Sequence, residues 1–324
     1  MPAPPPLSVL ARFTPTPSVH RVLGEAGVRA DWLDITWCDE HDDDAFFRAL
    51  PAAEVIWHVL RPISARDIAR APRLRLIHKL GAGVNTIDVD AARRQGVAVA
   101  NMPGANAPSV AEGTVLLMLA ALRRLPEQDR RTRAGTGWPN DPALGETVRD
   151  IGSCTVGLVG YGNIARRVER ILAAMDATVL HTSTRDDGSP AWRPLAELLR
   201  SSDIVSLHLP LTDATAGLLD GDAMTHLKPG AVLVNTSRGA IVDEAALADA
   251  LRDGRLGAAG LDVFAEEPVS TDNPLLRLAN TVVSPHVTWY TADTMRRYLQ
   301  RAVDNCRRLY AGDDLVDVVD GGQG

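Results

Sequence analysis

Residues that could carry out acid–base chemistry follow three apolar segments in the second half of the chain. Arg238 follows the first of these segments, and His286 follows the third. The second segment leads into three acidic residues, Asp262, Glu266 and Glu267. Ligands of an open parallel sheet bind beyond the carboxyl ends of its strands. We therefore expect these side chains to lie near one another.

An arginine, a carboxylate and a histidine beside a nicotinamide ring can support reversible hydride transfer to a 2-oxo acid. The guanidinium would bind the substrate carboxylate and polarise the keto oxygen. The imidazole would donate a proton to that oxygen, and a neighbouring carboxylate would orient the ring. Each residue also has an ordinary alternative: a surface ion pair for Arg238, a solvated loop position for Glu267, and a satisfied core histidine for His286.

One glycine-rich segment has the pattern of a dinucleotide-binding turn. Residues 156–159 are apolar and predict a buried parallel strand. Residues 160–165 fit G-x-G-x-x-G/A and open a helical pattern. Gly160 allows a tight turn, Gly162 lets a pyrophosphate approach the backbone, and Ala165 allows close packing of helix on strand. The expected cofactor contacts here are Gly160, Gly162, Asn163 and Ile164.

The end of the following strand bears on the choice of nucleotide. An NAD-binding unit has an acidic residue there, which holds the ribose hydroxyls. This chain has Ser183, Thr184 and Arg185 instead. Hydroxyls and a guanidinium would hydrogen-bond a 2′-phosphate that a carboxylate would repel. The sequence therefore favours NADP(H). NAD(H) is the alternative if Arg185 faces solvent and Asp186 or Asp187 takes the place of the acid.

A second glycine-rich loop, residues 81–85, follows the predicted strand 74–80. Backbone N–H groups of such a loop can bind an anion, for which a carboxylate is the best candidate. An ordinary strand-to-helix turn is the alternative.

The composition restricts the classes of partner. A chain of 324 residues with 45% hydrophobic content can form two domains. The net charge of −7 and the absence of a basic block argue against nucleic acid and anionic membranes as partners. The opening residues 1–6 show no signal peptide. Three widely spaced cysteines, Cys38, Cys154 and Cys306, predict a reduced cytoplasmic protein with no disulfide framework or metal site.

Strand and helix patterns alternate along the chain, which predicts an α/β fold with parallel sheets. The predicted strands are 7–13, 55–60, 74–80, 97–101, 156–159, 178–183, 204–210, 231–236, 258–264 and 281–284. The predicted helices are 19–26, 45–50, 64–70, 109–122, 164–175, 194–200, 244–253 and 291–310. We expect two Rossmann-like doubly wound domains with a cleft between them. Residues 1–101 with 288–324 would form the substrate domain, and residues 102–287 the dinucleotide-binding domain.

The predicted helix 109–122 is almost entirely apolar. Ser109 followed by Glu112 matches a capping box at its start. Such a helix is buried in the domain or in a subunit interface. Residues 126–150, rich in Arg, Gly, Pro and Asp, predict a long connection after it.

Several motifs in the right order give the chain a resemblance to the D-isomer-specific 2-hydroxyacid dehydrogenase family. The match extends over nearly the whole length. The matching segments are 81–88, 109–112, 157–164, 235–239, 260–264, 267–268 and 284–286.

The resemblance implies a role for each reactive side chain. Arg238 would bind and polarise the substrate, and His286 would be the acid–base residue. Glu267 would be its carboxylate partner, because the family's glutamate directly precedes a proline. The family also implies a homodimer formed largely by the nucleotide-binding domains, in which helix 109–122 would take part.

Further contacts are implied by the same resemblance. Ala82 and Gly83 would hold the substrate carboxylate, and Asp262 would face the nicotinamide. The remaining expected cofactor contacts are Pro210, Thr215, Thr236 and Ser237. Residues 287–290 differ from the family pattern, because many members have glycines at these positions. Trp289 could therefore form a wall of the substrate pocket, or it could pack at a helix start.

These observations favour a reductase of small 2-oxo acids, with glyoxylate and hydroxypyruvate as the leading substrates. The serine and arginine residues after the second nucleotide strand resemble those of family reductases that use NADPH. An NAD-dependent D-lactate or phosphoglycerate type is the enzymatic alternative. A nucleotide-sensing protein, like the corepressors of this fold, is the alternative from another class.

Overall fold

The computed structural model describes residues 5–138 and 142–319. These residues divide into two compact units, residues 5–106 with 290–319 and residues 107–289. Residues 1–4 of the opening segment, which shows no signal-peptide pattern, lie outside the described residues. So do residues 139–141 of the predicted connection and the last five residues of the predicted substrate domain.

The first unit is built on a five-stranded parallel sheet. Its strands are β1 (Leu7–Arg12), β2 (Leu33–Cys38), β3 (Val55–His58), β4 (Leu76–Lys79) and β5 (Ala98–Ala100), in the order β2-β1-β3-β4-β5. The helices between them are α1 (Pro17–Glu25), α2 (Asp43–Ala49), α3 (Ala65–Ala69) and α4 (Val89–Arg94).

The edge strand β2 is not among the predicted strands. Leu33 and Cys38 at its two ends are buried, whereas Asp34 is exposed. Polar residues alternate with apolar ones along an edge strand, because only one of its faces packs on the core. The other strands of this sheet are almost wholly buried, and their apolar residues form a stronger pattern than this short alternation.

The second unit contains a six-stranded parallel sheet with helices on both faces. Its strands are β6 (Thr155–Val159), β7 (Thr178–Thr182), β8 (Ile204–Leu207), β9 (Ala231–Asn235), β10 (Leu256–Leu261) and β11 (Thr281–Val283), in the order β11-β10-β9-β8-β6-β7. Its helices are α5 (Ala107–Leu122), α6 (Leu125–Arg133), α7 (Pro142–Thr147), α8 (Asn163–Ala173), α9 (Leu195–Ser201), α10 (Gly221–Thr225) and α11 (Glu244–Arg252). The last helix, α12 (Ala292–Ala311), belongs to the first unit and packs on α1. The prediction of two doubly wound parallel-sheet domains is confirmed.

Helix α5 begins two residues earlier than predicted. Ser109 lies inside the helix and is buried, so the predicted capping box does not form. Pro108 occupies the first turn, where a missing backbone N–H costs nothing because that N–H has no helical partner. The helix packs against α8, β9 and β10.

The predicted connection 126–150 is partly helical. α7 forms within it, and α6 begins one residue before it and extends to Arg133. α6 is a polar helix in which Arg133 pairs with Asp129 one turn earlier, at 2.9 Å. Because α6 has few apolar residues, it lacks the hydrophobic periodicity from which a helix is predicted.

Candidate active site

The reactive residues follow three neighbouring strands, β9, β10 and β11. These strands are parallel and in register, with Leu261 opposite both Asn235 and Val283. Their carboxyl ends therefore lie at one edge of the sheet. Arg238 lies three residues beyond β9, and His286 lies three residues beyond β11.

His286 and Glu267 form a hydrogen-bonded pair. The imidazole Nδ1 and the carboxylate Oε2 are 2.7 Å apart. The other oxygen of Glu267 accepts a hydrogen bond from the Phe264 N–H at 3.0 Å. Burial raises the pKa of Glu267, but the bonds from His286 and Phe264 and the neighbouring positive charges outweigh it and lower the pKa below its usual value. A carboxylate that stays ionised beside a histidine can orient that ring and stabilise its cation.

Arg238 is held by the turn that contains it. The side-chain amide of Asn235 donates to the Arg238 carbonyl at 2.9 Å, while its oxygen accepts from the N–H of Ser237 at 3.0 Å. The guanidinium donates to the Ser237 carbonyl at 2.7 Å. Burial lowers the pKa of Arg238, and the charge of Glu267 opposes this effect. The arginine remains cationic at neutral pH and can bind a carboxylate with two parallel hydrogen bonds.

The carboxylate of Asp262 is fully buried and accepts four hydrogen bonds. One oxygen accepts from the Ser284 hydroxyl at 2.6 Å and the Val287 N–H at 2.9 Å. The other accepts from the N–H and the hydroxyl of Thr288 at 3.1 and 2.7 Å. The carbonyl of Asp262 also accepts from the His286 N–H at 2.7 Å. Asp262 thus fixes the backbone on both sides of the histidine, and the contact with nicotinamide stays a prediction.

The backbone of His286 adopts an unusual conformation. Its φ is 55°, in the left-handed region that residues other than glycine rarely enter. Such a conformation persists only where the surroundings determine it. The hydrogen bonds to Asp262 on either side of this residue supply that constraint.

Trp289 belongs to the same segment. Its indole N–H donates to the His286 carbonyl at 2.9 Å, and the side chain is half-buried. Thr288 packs closely on α5, because a Cβ on Gly113 would lie 2.7 Å from its methyl group. The role of Trp289 as a wall of the substrate pocket stays a prediction.

The turn from β6 to α8 has the backbone that a dinucleotide site needs. Gly160 has a φ of 91°, and a Cβ there would lie 2.5 Å from the His208 carbonyl oxygen. Gly162 is exposed and open, whereas Ala165 is buried against the sheet. Helix α8 begins at Asn163, so its first N–H groups face this open turn.

The aromatic residue of the turn, Tyr161, stacks on His181 of β7. The ring centroids are 3.7 Å apart and the planes are inclined by 8°. The Tyr161 hydroxyl bonds to Glu169, and the Arg166 guanidinium lies 4.3 Å from the tyrosine ring. His181 is buried, and its Nε2 lies 3.0 Å from a carboxylate oxygen of Asp187. No sequence pattern indicated this stack, which links the glycine turn to the loop after β7.

The loop after β7 contains the predicted determinants of the nucleotide. The Ser183 hydroxyl donates to the Arg185 carbonyl at 2.7 Å, and Thr184 and Arg185 are exposed. Asp186 accepts from the Gly188 N–H at 2.8 Å. Asp187 accepts from the Ser189 N–H at 3.0 Å in addition to its contact with His181. Both acidic residues are therefore engaged within their own loop.

The other predicted cofactor contacts lie at or near the ends of β8 and β9. The Thr215 hydroxyl donates to the Pro210 carbonyl at 2.7 Å. The hydroxyls of Thr236 and Thr114 are 2.8 Å apart in the interior, which ties the end of β9 to α5. Ser237 bonds to Asn235. Contacts of these residues with a cofactor stay predictions.

The predicted carboxylate loop belongs to the first unit and follows β4. The Met102 N–H donates to the Gly81 carbonyl at 2.8 Å, and the Asn101 amide donates to the Ala82 carbonyl at 2.7 Å. These bonds hold the loop against the end of β5. Ala82 is exposed and Gly83 is half-buried. Binding of a substrate carboxylate by these two residues stays a prediction.

The described residues contain neither a metal-binding cluster nor a membrane-spanning helix. In residues 5–138 and 142–319, no three histidine, cysteine or acidic side chains are placed to hold a metal ion. Over the same ranges, no helix is both long and apolar enough to cross a membrane.

Comparison with known proteins identifies the family. Residues 115–288 match the model of the NAD binding domain of D-isomer specific 2-hydroxyacid dehydrogenases. The D-3-phosphoglycerate dehydrogenase of Mycobacterium bovis is 38% identical over 315 residues, which cover 95% of this chain and 58% of that protein. The chain thus spans less than two thirds of that relative. The glyoxylate reductase of Aeropyrum pernix is 40% identical over 250 residues, 74% of each chain.

Solved structures agree with this assignment. The TT0316 protein from Thermus thermophilus superimposes with a TM-score of 0.87 at 32% identity, covering 97% of this chain and all of that one. An acyclic imino acid reductase, solved with NADPH and D-arginine, has a TM-score of 0.83 at 26% identity with the same coverage of both chains. The chain therefore belongs to the D-isomer specific 2-hydroxyacid dehydrogenase family.

Proposed function

We propose that this protein is an NADP(H)-preferring reductase of small 2-oxo acids, with glyoxylate and hydroxypyruvate as the leading substrates. The observation that carries the proposal is the hydrogen-bonded pair of His286 and Glu267, together with Arg238, at one sheet edge. A glyoxylate reductase is among the relatives of the chain.

The proposed reaction uses each of these side chains for one task. The bound cofactor would supply the hydride. Arg238 binds the substrate carboxylate and draws electron density toward the keto oxygen. His286 donates a proton to that oxygen as it becomes a hydroxyl, and Glu267 stabilises the imidazolium before the transfer. In the oxidative direction the neutral imidazole accepts the proton.

The preference for NADP(H) rests on the loop after β7. Asp187 uses both carboxylate oxygens, one within its loop and one on His181, whereas Asp186 uses one oxygen in the described contacts. Asp186 is therefore the acid that would bind ribose hydroxyls in the NAD(H) alternative. Arg185 is exposed beside Ser183, where its guanidinium can reach a 2′-phosphate. The open backbone at Gly162 suits a pyrophosphate.

Replacing Arg185 by alanine is expected to raise the KM for NADPH about 10-fold or more, because a charge-assisted hydrogen bond to the 2′-phosphate is lost. The KM for NADH should change less than about twofold, because NADH has no such phosphate. Steady-state kinetics with both cofactors measures the difference. Arg200→Ala, at an exposed position of α9, is the matched control. A variant that retains its preference for NADPH would place the determinant elsewhere.

The first experiment is NADPH and NADH oxidation by the purified protein with glyoxylate, hydroxypyruvate, pyruvate and phenylpyruvate. Rapid NADPH oxidation with the two leading substrates supports the proposal. Activity with NADH alone would retain the mechanism and refute the cofactor preference. Nucleotide binding without turnover of any 2-oxo acid would favour a sensing protein.

An NAD-dependent dehydrogenase of D-3-phosphoglycerate is the second candidate. Two mycobacterial relatives with that name match 90% or more of the chain. A related candidate is an NAD-dependent dehydrogenase of D-lactate, an acid without a phosphate group. NAD reduction with either D-acid, faster than NADPH oxidation with glyoxylate, would favour these alternatives.

We further propose that the second unit forms a homodimer. Large apolar side chains are exposed on α5, on the edge strand β11 and beside the histidine: Leu116, Val283 and Val287. The contact between Thr288 and Gly113 brings the last of these segments onto α5. Exposed apolar groups of this kind favour association. Light scattering of the purified protein should give twice the chain mass of 34.7 kDa, and a monomer would contradict the proposal.

A further inference from the structure

A second carboxylate, that of Glu244, also binds the turn that contains Glu267. Glu244, the first residue of α11, accepts a hydrogen bond from the Ala265 N–H at 2.6 Å. The preceding N–H, that of Phe264, donates to Glu267 itself at 3.0 Å. Consecutive N–H groups at the start of the turn are therefore bound by two different glutamates, one of which is the proposed partner of His286.

The second oxygen of Glu244 binds the far end of the same loop. It accepts from the side-chain amide of Asn273 at 2.7 Å. The amide oxygen of Asn273 accepts from the Leu275 N–H at 3.0 Å, so the orientation of this amide is determined and its NH₂ group must face Glu244. Glu244 thus joins both ends of the loop 265–273.

Glu244 lies in the first turn of α11, next to the residue that caps this helix. Asp243 caps this helix through bonds from the N–H groups of Ala245 and Ala246 at 3.0 Å. The capped start of α11 is therefore a rigid support from which Glu244 reaches the loop.

The peptide between Phe264 and Ala265 also contacts the turn that contains Arg238. A Cβ on Gly239 would lie 1.8 Å from the carbonyl carbon of Phe264 and 2.2 Å from the nitrogen of Ala265. Only a glycine permits this approach. The peptide between Phe264 and Ala265 is therefore in contact both with the residue after Arg238 and with the side chain that begins α11.

We propose that Glu244 is a positioning residue, which fixes the turn that presents Glu267 to His286 and keeps that turn aligned with the Arg238 segment. The inference rests on the proposed function of this pair. A turn held by only one of its two carboxylates would place Glu267 less accurately. Small displacements of a catalytic group are costly, because the rate depends on the geometry of the reacting atoms.

Glu244→Ala is expected to lower kcat about 10-fold, since it removes two hydrogen bonds from a charged acceptor. Binding of NADPH should not change. Glu244→Gln should lower kcat less, because its amide oxygen can still accept from Ala265 while its NH₂ group faces the NH₂ of Asn273. Asp249→Ala is the matched control, because this exposed acid on the same helix pairs only with Arg252 among the contacts described. Wild-type kcat in Glu244→Ala would overturn the inference.

A double-mutant cycle with Glu267→Gln separates positioning from a general effect on stability. If Glu244 acts through Glu267, then Glu244→Ala should change kcat less than about twofold in the Glu267→Gln background. The same 10-fold loss in both backgrounds would refute the inference. Wild-type activity of Glu267→Gln would instead refute the proposed acid–base pair. If Glu244→Ala fails to fold, the cycle is made with Glu244→Gln, and an equal loss of kcat in both backgrounds would then refute the inference.

Hydrogen exchange gives a test that does not use activity. In Glu244→Ala the amides of Phe264 and Ala265 should exchange faster than in the wild type, because one of their two acceptors is gone. Asp249→Ala should leave their exchange unchanged. Equal exchange in all three proteins would show that Glu244 does not hold the turn.

Discussion

Replacing His286 by alanine is expected to lower kcat for 2-oxo acid reduction by about 10²- to 10⁴-fold, while NADPH still binds. This range is the usual contribution of a positioned general acid. The imidazole lies 2.7 Å from the Glu267 carboxylate. The variant therefore loses the proton donor and leaves Glu267 with no cation to stabilise. Initial rates measure turnover, and a fluorescence titration measures NADPH binding.

The backbone conformation at position 286 calls for a second variant. Alanine is disfavoured at a φ of 55°, whereas asparagine tolerates this region. His286→Asn should therefore show the same loss of kcat with less disturbance of the segment. His226→Ala, at the end of the short helix α10, is the control for loss of an imidazole. Unchanged turnover in both His286 variants would remove the acid–base assignment.

The lowered pKa of Glu267 defines where acid should affect this carboxylate. The carboxyl is ionised at neutral pH and remains so as the pH falls to its ordinary value of 4.5. Its contribution to stability is present above that value and is lost as the pH falls through the lowered pKa of the folded state. Loss of activity between pH 5 and pH 7 would therefore report on a different group.

Replacing Arg238 by alanine is expected to lower kcat/KM for the 2-oxo acid by about 10²- to 10³-fold, because the substrate carboxylate loses its clamp and the keto oxygen loses a stabilising charge. Arg238→Lys should recover only part of the loss, since an ammonium cannot form two parallel hydrogen bonds. The specificity constants of the variants measure the effect. Arg252→Ala on α11 should match the wild type. An unaltered constant in Arg238→Ala would contradict the clamp.

The fold could be predicted because its strands are buried runs of apolar residues. The segments that form β6, β8 and β9 are almost wholly buried. Elements with weaker hydrophobic patterns were missed. β2 has an alternating edge pattern, and α6 has no buried residue at all. The start of α5 was misplaced because Ser109 has the chemistry of a cap, whereas the position is inside the helix and buried.

The site could be predicted as a set of residue types at strand ends, but their contacts could not. The sequence places Asp262 directly after β10. It does not show that the segment 284–288 donates four hydrogen bonds to the Asp262 carboxylate. The stack of Tyr161 on His181 joins the glycine turn to strand β7, and no spacing rule predicts this contact. Glu244 likewise precedes its partner Ala265 by 21 residues. Such contacts depend on loop conformations that local propensity does not determine.

The close approach of Gly239 to the Phe264–Ala265 peptide also limits what a comparison of related sequences can reveal. Any relative that retains this backbone contact must retain glycine at position 239, whatever acid it reduces. Strict retention of this residue among relatives would thus report the packing of two turns and carry no information about substrate preference. Specificity must be sought at positions where side chains can vary without moving the backbone.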